Sequence, residues 1–115
     1  MASFLLLLHR STGRGPLSTN DVTAITREYM EWADRMRAQG RLKGADRLTN
    51  DAGKILKGEN GRAALSDGPY AESKEIVGGY FMIAADNYGE ACRIAETCPH
   101  LKYGSHIEVR QVMEL

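Results

Sequence analysis

The stretch Val77-Gly78-Gly79-Tyr80-Phe81-Met82-Ile83-Ala84-Ala85 decides the fold. Successive side chains of a strand point to opposite faces. Tyr80 and Met82 therefore share one side, and Phe81 and Ile83 the other. A strand that is apolar on both sides belongs inside a sheet, not at its edge. Two glycines at the start of such a strand weaken it. They predict either a bulge or a close approach by another backbone or a ligand.

Toward the C-terminus, Asp86 or Asn87 is placed to cap a helix. Ala91, Ile94, Ala95 and Cys98 would form its inner face, and Pro99 would stop it. A last strand is expected over 106–113. Ile107, Val109 and Met113 would face one side, and His106, Glu108 and Arg110 the other. Toward the N-terminus, residues 2–9 read as a first strand and 11–17 as a loop, with Gly13, Gly15 and Pro16. Ser18 and Asp21 make a capping-box variant. Apolar residues then recur at Val22, Ile25, Tyr29, Trp32, Ala33 and Met36, a single helical stripe closed by Gly40.

Between 42 and 66 the pattern is weaker. Asn60-Gly61 is a two-residue hairpin signal, joining strands near 53–57 and 62–66. Residues 42–49 read as a further extended segment or as part of the same arm. The order β-α-β-β-β-α-β is a ferredoxin-like split βαβ of the α+β class, with an added hairpin. Two amphipathic helices can cover only one face of its sheet. The other face carries Tyr80 or Phe81 with Glu108 and Arg110. It is too apolar at its centre for water, so a second copy of the chain is expected to cover it, giving a homodimer.

The chain has 115 residues, which suits one domain over 1–115. Lys+Arg and Asp+Glu both number 15, so no broad basic field for nucleic acid is expected. Cys92 and Cys98 fall in the expected helix, about 9 Å apart along its axis and on different faces. They read as reduced thiols of a cytoplasmic protein. The opening run Phe4-Leu5-Leu6-Leu7-Leu8 is too short for a membrane span and lacks the flanks of a signal peptide. It reads as a buried strand, with no membrane association.

Just before the central strand stands Asp67-Gly68-Pro69-Tyr70-Ala71-Glu72-Ser73-Lys74-Glu75. Gly68-Pro69 forces a turn, and three acids and one lysine crowd the segment. Together with Gly78-Gly79-Tyr80, it resembles the signature of the DGPF group of YCII-related proteins, with Tyr70 in the position of the usual Phe. Ile107-Glu108-Val109-Arg110 is similar to the terminal strand of that group, with Gln111 replacing the usual Pro. The resemblance implies a dimeric α+β barrel and a cleft lined by polar residues of the uncovered sheet face. It also implies relatives that act on small cyclic molecules with a His and Asp pair, and others linked to sigma factors of the extracytoplasmic-function type.

Candidate chemistry follows from these residues. Asp67, Glu72, Lys74 and Glu75 could form a polar site in which an acid beside a lysine moves protons. Composition alone reads them as a solvated turn, and the resemblance raises the odds of function. Glu108 and Arg110 share one strand face, suited to a carboxylate ligand or to a structural ion pair. His9 is the first candidate for a general base, and Asp67 is the other candidate catalytic residue, though the His and Asp pair that the resemblance implies is not placed on particular residues. Glu72, Lys74, Glu75, Tyr80, Glu108 and Arg110 are candidate ligand-binding residues. His100 and His106 read as ordinary histidines, and Tyr29 and Trp32 as core. No spacing matches a zinc site or a phosphate loop, so neither metal nor cofactor is expected. The expected activity is proton transfer of lyase or isomerase type on a small molecule. The alternative is a non-catalytic interaction module. A concave, partly apolar pocket holding ionisable groups of perturbed pKa would favour the first, and a flat or filled cleft with a further exposed apolar patch the second.

Overall fold

The computed structural model describes residues 1–12, 18–51, 53–67 and 75–115. Strand β1 (Ala2–Ser11) leads to helix α1 (Thr19–Ala38) and strand β2 (Leu42–Arg47). The hairpin β3 (Lys54–Glu59) and β4 (Arg62–Asp67) follows. Then come β5 (Glu75–Ala85), α2 (Tyr88–Glu96), the short α3 (His100–Tyr103) and β6 (His106–Gln111). Four strands form one sheet in the order β2-β5-β1-β6, the ferredoxin-like arrangement. β3 and β4 pair only with each other, in a separate two-stranded sheet. Residues 42–47 thus make a sheet strand of their own, and the expected order gains one strand and one short helix.

Local chemistry sets the boundaries. The Ser18 side chain accepts from the Asp21 backbone N–H at the start of α1, and Asn87 does the same for Glu90 at the start of α2. Gly40, with φ +71°, turns the chain out of α1. Asn60 and Gly61 have φ of 50° and 78°, the left-handed pair required by a type I′ hairpin. α2 ends at Glu96, with Thr97 as its cap, so Cys98 lies beyond the helix. Met113 lies beyond β6 and is exposed.

The glycine pair realises both sequence readings at once. Leu8 pairs with Gly79 and His9 with Val77, so Gly78 is the extra residue of a bulge. A Cβ on Gly79 would lie 2.8 Å from the Asp46 backbone oxygen of β2.

Phe4, Leu6 and Leu8 of β1 and Phe81 and Ile83 of β5 face the helices. They pack there with Trp32, Met36, Ala91, Ala95 and Cys98. Each large side chain so enclosed contributes about 1.5–3 kcal/mol. Phe81 meets the Trp32 ring edge-on at 4.8 Å, which assigns it to the covered side and leaves Tyr80 on the open one. The register places Leu5, Leu7 and His9 beside Met82, Tyr80, Glu108 and Arg110 on that open face. The smallest dimension of the molecule is 18 Å, room for a single helix layer on a single sheet. Among the described residues, no helix is long and apolar enough to cross a membrane.

Candidate functional site

α1 carries one apolar stripe, but the sheet takes only part of it. Trp32 and Met36 are buried, whereas Val22, nearer the N-terminal end, is 40% exposed. The N-terminal half of the helix stands off the strands. Below it lies a cavity of about 720 Å³. Val22, Ile25 and Tyr29 line it from the helix, and Leu8, Gly79 and Phe81 from the sheet. Arg10 and Arg47 bring charge to the wall, while the Asp46 side chain lies with Tyr80 on the other face of the sheet. Asp46 accepts a 2.7 Å hydrogen bond from the Tyr80 hydroxyl, which raises the pKa of Tyr80.

His100 closes one end of this cavity. It is 5% exposed, and both ring nitrogens are engaged. Nε2 lies 2.7 Å from the His9 backbone oxygen, and Nδ1 lies 2.8 Å from the Tyr29 hydroxyl. A carbonyl oxygen only accepts, so Nε2 carries the hydrogen. Burial lowers the pKa of His100, which favours the neutral ring. Nδ1 then has only a lone pair, and Tyr29 donates its proton to it. Gly104 makes the seat possible: a Cβ there would fall 2.1 Å from Cε1 and Nε2 of the imidazole. Beside this pair, the Tyr103 hydroxyl first and then Lys102 hold Glu28 below its ordinary carboxylate range.

The residues singled out from sequence lie mostly elsewhere. Tyr80 borders the cavity. His9, Glu108 and Arg110 come together on the open face. His9 Nε2 is 3.0 Å from Glu108 Oε1, and Arg110 donates to Glu108 Oε2 at 3.3 Å. These contacts, His9 first, depress the Glu108 pKa. Glu75 lies 3.4 Å from His106, while Asp67 pairs across the hairpin with Lys54 at 2.9 Å. Glu72 and Lys74 lie outside the described residues, as does most of the signature segment. This cavity lies on the covered side of the sheet. Tyr29, read as core, packs half-buried against the core and also lines the cavity, and His100 is 5% exposed.

His9, Glu75 and His106 place three donor atoms within 4.8 Å of one another. Yet the two imidazoles are stacked, centroids 4.3 Å apart and planes 11° from parallel. Ring lone pairs lie in the ring plane, so in this arrangement one ion cannot sit in both planes at once. The cluster as built is a stack held by carboxylates, not a preformed metal centre.

A protein-family model described as the YCII-related domain matches residues 5–115. Among solved structures, the chain is similar to 5-chloro-2-hydroxyhydroquinone dehydrochlorinase (TftG) from Burkholderia phenoliruptrix AC1100, in complex with 2,5-dihydroxybenzoquinone. The TM-score is 0.53 at 14% identity, covering 98% of this chain and 95% of that one. At that identity the likeness speaks for the fold alone. No protein with a curated description matches the chain.

Proposed function

Because the chain belongs to the YCII-related family, we propose that it binds a small cyclic molecule in the cavity under α1 and moves a proton on it with its own side chains. The observation that carries this reading is the cavity itself. It has about 720 Å³, within the range of small-molecule sites, and apolar walls that converge on a Tyr and His pair. Ile25 from the helix and Phe81 from the sheet give it two apolar walls. The guanidinium groups of Arg10 and Arg47 in the lining favour a ligand that is, or becomes, an anion. The structurally similar dehydrochlorinase, with its bound dihydroxyquinone, supports the same ligand class. By the criterion set from sequence, a concave pocket with ionisable groups favours ligand chemistry over an interaction module.

The test is calorimetry with 2,5-dihydroxybenzoquinone and simpler hydroxylated rings. Binding is expected in the wild type. Ile25→Trp, which fills the cavity from a half-buried helix position, should weaken it at least about tenfold, or about 1.4 kcal/mol. Equal affinity in both proteins would remove the cavity from consideration.

A further inference from the structure

Resting on the cavity as the ligand site, we propose that Tyr29 and His100 form a proton relay of fixed direction, which selects rings bearing an acidic hydroxyl and takes the proton of that hydroxyl. The direction follows from the bonding. The His9 carbonyl fixes the hydrogen of His100 on Nε2, leaving Nδ1 as the acceptor. The Tyr29 proton is committed to Nδ1 at 2.8 Å. Whatever else the Tyr29 oxygen meets, it meets as an acceptor. A ligand that engages it must bring a donor, and a donor acidic enough to give up its proton, with the charge spread over the ring, is an enolic or phenolic O–H.

The transfer balances. The ligand O–H breaks and its proton forms a bond to the Tyr29 oxygen. The Tyr29 O–H breaks in turn, and its proton moves to His100 Nδ1. The products are a ligand anion and an imidazolium. The imidazolium keeps its Nε2–H bond to the His9 carbonyl, and the ligand anion faces Arg10 and Arg47. Returning the proton to a different atom of the delocalised anion completes a tautomerisation, and no oxidant or reductant enters. The His100 ring has no room to turn, because Gly104 lies against it. Burial opposes the imidazolium, so His100 holds the proton only while the ligand anion lies beside it.

Two measurements test the relay, and they separate its failure from that of the cavity. The first needs no ligand. In ¹⁵N-histidine NMR near neutral pH, with His100 identified by its loss in His100→Gln, the ring should be the neutral Nε2–H form. Tyr29→Phe should move Nδ1 toward the shift of a nitrogen without a hydrogen bond. A resting Nδ1–H tautomer or an imidazolium would overturn the relay. The second uses 4-nitrophenol, whose neutral and ionised forms absorb at different wavelengths. Bound to the wild type, the ratio of ionised to neutral dye should be about tenfold higher than when bound to Tyr29→Phe. Equal ratios in the two proteins would overturn the relay. If the resting tautomer is as described but neither protein binds any hydroxylated ring, the cavity reading fails and takes the relay with it.

Discussion

Cys98 lies just past α2, buried against the sheet, and burial pushes its thiol up to about 11. It is protonated near neutral pH as well as enclosed, so it lacks the thiolate that reacts. Cys92 is exposed. A maleimide should therefore modify one thiol per folded chain and two after unfolding in urea. Mass spectrometry finding native modification at Cys98 would contradict this. At the scale of single residues the sequence was legible where partners are near in the chain. Ser18, Asn87, Gly40 and Asn60-Gly61 act on groups within about four residues, and each sits where the pattern put it. Tyr29 and His100 meet across 71 residues. No spacing announces such a contact, and a tyrosine on an apolar helix stripe looks like core until the packing leaves a space beside it.

At the scale of elements, β5 is the organising strand. Its alternation placed it inside the sheet, and it is hydrogen-bonded on both sides, to β1 and β2. Its glycines have separate tasks. Gly78 is the bulge residue, and Gly79 lets β2 pass close by. A methyl group at 79 would press on backbone, which cannot swing away as a side-chain end can. Gly79→Ala should thus destabilise the protein by about 1–3 kcal/mol, the usual cost of overpacking, read as a lower urea midpoint. It should also speed amide exchange along β2. An unchanged midpoint would mean that β2 yields easily. The strand over 42–47 was ambiguous from sequence for a physical reason. It is a short edge strand, largely exposed, and lacks the two-sided apolar pattern that marked β5.

At the scale of the whole molecule, one face of the sheet carries helices and the other, among the described residues, carries none. Leu5, Leu7 and Met82 lie only half-buried on that open face, between Tyr80 and the His9, Glu108 and Arg110 cluster. We propose that a second copy of the chain covers it, since two such faces would remove each other's apolar centre from water. Met82→Asp would place a charge in the middle of the joint surface. Sedimentation should then report a monomer where the wild type is a dimer, and a Met82→Asp protein that sediments like the wild type would exclude this face. The same substitution points away from the cavity, so it should leave binding of hydroxylated rings largely intact.

The sequence by itself determined most of the element order, short of β2 and α3, together with the caps and turns and the place of β5 within the sheet. These depend on periodicity and on neighbours a few residues away. Its signature segment and the glycine pair also pointed to the right family. Only the tertiary structure decided where a ligand can go. α1 has a continuous apolar stripe, but the angle at which it lies on the sheet buries Trp32 and leaves Val22 and Ile25 over a gap. That angle is set by long-range packing, by Trp32 against Phe81 and by the Trp32 indole donating to Thr97. It is a property of the assembled core that no single stretch of the chain contains.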